Sequence, residues 1–172
     1  MIIKKIVLHH IRSYLDAEIT FPLGTILLGG DIGSGKSTIL LALDFALFGI
    51  TKDLSGSALL RTGCDRGSVE LEFEIDGKNV VIRRVLERNG TRVNQSSGSL
   101  MMDGRTRELT PVELRQEIIT LFAYPQELLT KKSLIYRYTV YTPQEEMKSI
   151  LLGEKEARVD ILRKVFGIDK YK

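Results

Sequence analysis

Apolar positions along the chain change period repeatedly, and each change marks a boundary between elements. Residues 2–11 are apolar and rich in β-branched side chains, which predicts a strand. Leu15, Ala17, Ile19 and Phe21 then alternate with polar residues, the period of a half-buried strand. After a Pro-Leu-Gly turn, residues 25–28 form a short apolar run that reads as a strand broken by Gly29 and Gly30. From Lys36 to Phe48 the apolar residues Leu40, Leu43 and Leu47 recur at helical spacing, and Gly49 stops the helix.

Residues 52–61 read as loop. Val69, Leu71, Phe73 and Ile75 alternate, Asp76-Gly77 is a strong hairpin signal, and residues 79–86 return as the partner strand. Residues 88–107 read as a further, more polar hairpin with turns at Asn89-Gly90 and Asp103-Gly104. Thr110-Pro111-Val112-Glu113 is a capping box with proline at the first helical position, predicting a helix to about Ala123. Beyond it, a helical stretch from Pro125, a strand over 133–141, a helix from Pro143 and a helix over 154–166 are expected.

Composition narrows the class. The chain has 172 residues, 43% hydrophobic and 27% charged, which suits one globular unit with a sizeable core. The single cysteine, Cys64, excludes an intrachain disulfide and a cysteine zinc site, and reads as a small residue in a reducing compartment. His9 and His10 are adjacent in the first strand and so should point to opposite faces, which argues against a shared metal site. The net charge of +3 permits nucleic-acid contact without requiring it. No apolar run approaches the ~20 residues that span a bilayer, and the N-terminus lacks a signal-peptide layout. A protein without membrane contact, located in the cell interior (cytoplasm, nucleoid or nucleus), is expected.

One motif carries chemistry. Gly30-Asp31-Ile32-Gly33-Ser34-Gly35-Lys36-Ser37 fits G-x-x-x-x-G-K-[ST], the phosphate-binding loop. Its glycines let backbone N–H groups approach phosphate oxygens, and the following helix aims its positive end at them. Lys36 supplies a point charge for the β- and γ-phosphates, and the Ser37 hydroxyl is a hard oxygen ligand for Mg²⁺. Such a match arises by chance in roughly one chain in a few hundred of this length. The apolar run ending at Leu28 and the helix beginning at Lys36 supply the strand–loop–helix context the mechanism needs. Gln144, just past an expected strand and opening a helix, is placed to ligate Mg²⁺ or position a water.

With these residues in view, the chain resembles the N-terminal half of the ATPase head of SMC-like ABC ATPases, and most closely the Rad50/SbcC family of double-strand-break repair ATPases. The resemblance rests on Ile11-Arg12-Ser13-Tyr14, the phosphate-binding loop, the 69–86 hairpin, Gln144, Gly153-Glu154-Lys155-Glu156-Ala157-Arg158, and the segment from Leu162 to Ile168. It covers nearly the whole chain, most weakly over 87–107. It implies an α/β P-loop fold of ABC type with an antiparallel β-rich lobe, residues 1–172 forming the N-terminal lobe and about 154–172 a helix leading into a coiled coil.

The same resemblance implies ATP and Mg²⁺ as cofactors. Arg12 and Ser13 would contact phosphates or ribose; Gly30, Asp31, Ile32, Gly33, Ser34, Gly35, Lys36, Ser37 and Thr38 would wrap the phosphates. Ser37 and Gln144 would hold Mg²⁺, Lys36 and Gln144 would act in catalysis, and the stretch Arg61-Thr62-Gly63 would pass near the base. The implied partners are the C-terminal half of the same head, a second head in an ATP-dependent homodimer, DNA, and an Mre-eleven-type nuclease. One position departs from the family pattern: Ile32 stands where Asn is usual. The Walker B glutamate and ABC signature are absent from the chain; Leu40–Asp44 and Leu54–Ser57 imitate them at the wrong distance from the loop, and Asp44 reads as an exposed carboxylate. Rival readings are another SMC-like chromosome-maintenance ATPase, a small kinase with Arg83, Arg84, Arg105 and Arg107 in a lid, or a DNA-binding module using those arginines.

Overall fold

A computed structural model of the chain describes residues 1–51 and 54–122, together with residues 152, 154–156 and 159. The chain divides into two units, Met1–Leu121 and Phe122–Lys172, and the sheet and helices named below all belong to the first. The elements expected between residues 125 and 166, Gln144 and the helix over about 154–172 fall wholly or mostly outside the described residues.

Seven strands form one antiparallel sheet: β1 (Ile2–Ile11), β2 (Tyr14–Thr20), β3 (Arg66–Ile75), β4 (Lys78–Asn89), β5 (Arg92–Gln95), β6 (Gly98–Met102) and β7 (Arg105–Leu109). Their order is β2-β1-β3-β4-β6-β7, with β5 also paired to β4. Three helices accompany them: α1 (Lys36–Phe48), the four-residue α2 (Gly56–Leu59) and α3 (Pro111–Leu121). Helix α1 lies on β1, β3 and β4, α3 on β6, β7 and α1, and α2 against β5.

Register follows from which side chains must leave water. Val69, Leu71 and Phe73 of β3 are buried with Ile6 and Leu8 of β1 and Val80 and Ile82 of β4. The intervening Glu70, Glu72 and Glu74 take the other face, so a slip of one residue would invert the sheet. The β3–β4 hairpin turns on Asp76 and Gly77, both left-handed (φ 50° and 74°), which is the backbone a two-residue hairpin needs. The polar region after Asn89 holds three short strands where a single hairpin was expected. At the start of α3 the capping box closes: the Thr110 N–H donates to Glu113 Oε2 at 2.9 Å and the Glu113 N–H to Thr110 Oγ1 at 3.3 Å.

Helix α1 is buried nearly all round, from Thr38 and Ile39 through the stretch Ala42 to Phe48. Asp44 is therefore buried too, not the exposed carboxylate expected, because α1 is sandwiched rather than laid on a surface. Arg84, also expected on an exposed hairpin, is the largest wholly buried side chain. It sits on the inward face of β4 and donates from Nε to the Ala46 carbonyl at 2.7 Å and from Nη2 to that of Leu47 at 3.1 Å. These are carbonyls of the last helical turn, which lack partners inside the helix. Burial, and then the nearby charge of Arg115, push its pKa down to about 9, leaving it charged at neutral pH.

Two further differences from expectation bear on the site. Residues 25–30 form no strand, and Leu27 is 92% exposed with Ile26 half-exposed. An apolar run becomes a strand only beside a partner, and no strand of the described sheet flanks this one. The rings of His9 and His10 do not oppose each other; they stack, with centroids 5.2 Å apart. The cause is the left-handed backbone of His10 (φ 50°), which breaks the alternation of the pleat.

Candidate functional site

The phosphate-binding loop enters α1 through Gly35, whose left-handed backbone (φ 94°) occupies the helix N-cap position and carries no capping side chain. No acidic residue stands in the first turn either. The amides at this end of α1 are thus open to an external anion, favoured there by the helix dipole. The Thr38 N–H returns to Gly35 O at 2.9 Å and the Ser34 N–H to Asp31 O at 3.2 Å, which curls the loop.

Lys36 is held inside this curl. Its ammonium donates to the carbonyls of Gly30 and Asp31, both at 2.7 Å, and to Ser34 Oγ at 3.2 Å. The charge is thereby fixed at the loop rather than free in solvent, where an incoming phosphate meets it without first ordering a long side chain. Ile32, where the resembled family has Asn, is fully exposed at the loop tip. The curl is closed by backbone and by Lys36, with no contribution from that side chain.

Strand β1 ends beside the loop. The two residues between β1 and β2, Arg12 and Ser13, face it across a cavity of about 400 Å³ lined by Arg12, Ser13, Gly33, Gly35, Lys36, Ser37 and Thr38. Gly35 is where the two sides touch: a Cβ there would lie 2.9 Å from Ser13 Oγ and from the Tyr14 ring and hydroxyl. Only glycine lets the loop and the turn close on each other, leaving a basic, glycine-walled cradle suited to a polyphosphate.

Thr62 and Gly63 lie in an exposed turn closed by the Cys64 N–H donating to Arg61 O at 3.1 Å. They do not line this cavity, but Arg61 joins the turn to it by donating to the Arg12 carbonyl at 2.9 Å. The resemblance puts Arg61 near the base with Thr62 and Gly63, and gives Tyr14 no role; the fold brings Arg61 to Arg12 and Tyr14 to Gly35. Arg84 caps the opposite end of α1, about 20 Å from the loop by helix length, so it cannot serve in a lid over it. A second depression, of about 420 Å³, is lined by strand residues including His9, Asp16, Glu70 and Arg83.

Among the described residues, no cluster of three or more His, Cys, Asp or Glu could hold a metal. Ser37, which lines the cavity, offers the kind of hard oxygen that Mg²⁺ takes beside phosphates. No helix among the described residues is long and apolar enough to cross a membrane.

Comparison with known proteins agrees with this geometry. A family model described as an AAA domain matches residues 5–172, and the chain belongs to that family. The DNA double-strand break repair Rad50 ATPase of Thermoplasma acidophilum is 29% identical over 170 residues, which cover 99% of this chain and 18% of that protein. Arcadin-4 of Pyrobaculum calidifontis is 28% identical over 174 residues, covering 97% of this chain and 20% of that protein. The chain thus spans about a fifth of the length of these relatives. A solved structure of the recombination mediator protein RecF superposes with a TM-score of 0.55 over 95% of this chain and 50% of the other. At 16% identity, that likeness shows the P-loop fold alone.

Proposed function

We propose that this chain is the nucleotide-binding N-terminal lobe of a composite ATPase head of Rad50/SbcC type. The observation that carries the reading is the meeting of Ser13 and Tyr14 with the glycine-walled loop at Gly35, with the Lys36 ammonium held inside that loop. ATP binds in this cradle. The loop amides and the first turn of α1 take the phosphates, Lys36 neutralises their charge, and Arg12 and Ser13 close the far side. Ser37 and Gln144 would hold Mg²⁺, which would supply charge neutralisation to the phosphates. Gln144 also orients the attacking water.

Hydrolysis needs groups this chain does not carry: a glutamate from the C-terminal half of the same head and a signature serine from a second head across the nucleotide. The exposed run at Ile26 and Leu27 and the exposed Ile32 support such a complement, since this much apolar surface beside a phosphate site suits a covering partner. ATP then drives engagement of two heads and hydrolysis releases them, on DNA and beside an Mre-eleven-type nuclease, within the cell interior. In this reading residues 154–172 lead into the coiled coil that separates the two halves.

A relative of another name, Arcadin-4, matches at nearly the same identity as the Rad50 relative, so a second reading stands beside the first. There the same head serves another SMC-like ATPase with different partners. A Cys-x-x-Cys between two coiled-coil arms of the whole gene favours the repair family; its absence favours the other.

Calorimetry with ATP tests the site. Lys36→Ala is expected to weaken binding by about tenfold or more, the worth of a charge-assisted contact to phosphate. Unchanged affinity would remove the assignment.

A further inference from the structure

Four described non-glycine residues have a left-handed backbone: His10, Arg12, Asp76 and Asp103. The two aspartates precede glycines in tight hairpins, where that conformation is built into the turn. Arg12 likewise opens a two-residue hairpin turn, since Ile11 pairs with Tyr14. His10 and Arg12 flank Ile11 at the end of β1, so two left-handed residues bend the chain within three positions.

Arg61 holds this bend from outside the hairpin. The backbone N–H of Arg61 donates to the His10 carbonyl at 2.9 Å, and its guanidinium Nη1 donates to the Arg12 carbonyl, also at 2.9 Å. Around this pair the Arg12 N–H donates to Leu59 O at 2.9 Å and Ile11 bridges Leu60. The bend closes against Gly67, where a Cβ would stand 2.8 Å from the His10 carbonyl. The segment after α2 is thus buckled onto the end of β1, and its one side-chain bond goes to the residue that walls the phosphate cradle.

We propose that Arg61 is a positioning residue for nucleotide binding: it holds the Arg12-Ser13 turn over the phosphate-binding loop by occupying the Arg12 carbonyl. This rests on the reading of the cradle as a nucleotide site. Without that bond only the Ile11–Tyr14 pairing holds the turn, and a tilt of its tip carries the Arg12 side chain and Ser13 away from Gly35. Arg61 does not line the cavity itself, and its guanidinium is engaged with the turn, so its effect on a nucleotide passes through Arg12.

The test is a double-mutant cycle on the 172-residue chain, with ATP affinity read by calorimetry and folding checked by thermal unfolding. Arg61→Ala is expected to weaken ATP binding by about tenfold, and by no more than about twofold in an Arg12→Ala background. Arg61→Lys, which keeps a charged donor of similar reach, recovers most of the loss. Equal factors in both backgrounds would show that Arg61 acts on the nucleotide independently and overturn the proposal, as would unchanged affinity in Arg61→Ala. Should Arg61→Ala fail to fold, the Lys variant carries the test, and a full loss of affinity in a folded Arg61→Lys overturns it. The Lys36→Ala control separates the two levels. If it binds ATP normally, the nucleotide reading fails; if it loses binding while Arg61→Ala does not, only the positioning role fails.

Discussion

Arg84, wholly buried in the sheet, donates from Nε to the Ala46 carbonyl at 2.7 Å and so caps the last turn of α1 from outside the helix. A side chain of the antiparallel lobe therefore fixes one end of the helix whose other end carries the phosphate-binding loop. The arrangement has a cost: Arg84 Nη1 is buried with no hydrogen-bond partner, and burial opposes its charge.

Arg84→Met is expected to lower stability by about 1–3 kcal/mol. The buried charge is removed, which helps, but two helix-end carbonyls lose their donor in a dry site. Urea unfolding checks this, with an unchanged m-value marking a true stability effect. ATP affinity should move little, since the loop is at the far end of α1.

Gly35→Ala should abolish most nucleotide binding while leaving the fold intact. The added methyl would meet Ser13 and Tyr14 at 2.9 Å, and the residue would keep a strained left-handed backbone. Fluorescence titration with an ATP analogue, beside a thermal melt, separates loss of site from loss of fold.

The capping box predicts a pH effect. Hydrogen bonds from the Thr110 hydroxyl and then its backbone N–H hold the Glu113 carboxyl below its ordinary pKa. A folded pKa below the unfolded one means stability that is present above the ordinary glutamate range and lost as pH falls through the folded value. Thr110→Ala should return the Glu113 pKa toward the ordinary range and flatten this loss. NMR titration of the Glu113 carboxyl reads it directly; a titration identical in the variant would contradict the assignment.

DNA binding by this chain is expected to be weak and to fall as salt rises, since a net charge of +3 offers few phosphate contacts. Exposed hairpin arginines such as Arg83 and Arg105 are the ones to carry it; Arg84, expected to join them, is buried. A gel-shift series at rising salt checks this, and a salt-insensitive, sequence-specific complex would contradict it.

Much of the architecture could be read from local chemistry. The bounds of α1 follow from the loop motif and Gly49, the β3–β4 register from Val69, Leu71 and Phe73, and the start of α3 from Thr110 and Glu113. What escaped was set by tertiary contact. The bond from Arg61 to the Arg12 carbonyl joins residues some fifty positions apart in the chain. Arg84 looks like any strand arginine until α1 is laid over it. Residues 25–28 have the composition of a strand, but composition cannot supply a neighbouring strand. For the site, the loop motif was legible in full, while the bond of Arg61 to Arg12 and the approach of Tyr14 to Gly35 became visible only in the fold.

The central claim, that this chain is the nucleotide-binding part of a composite ATPase, is tested most directly by steady-state phosphate release from the 172-residue chain, alone and mixed with the C-terminal half of the same protein. The cradle provides ground-state binding and part of the charge stabilisation, but groups that orient water or reach across from a second head are worth roughly several orders of magnitude in rate. The account predicts almost no turnover by the chain alone. With the other half present, turnover should be restored and should rise more steeply than linearly with head concentration, because two heads share each nucleotide. Robust hydrolysis by the isolated chain, linear in its concentration, would contradict it and point to a self-contained enzyme.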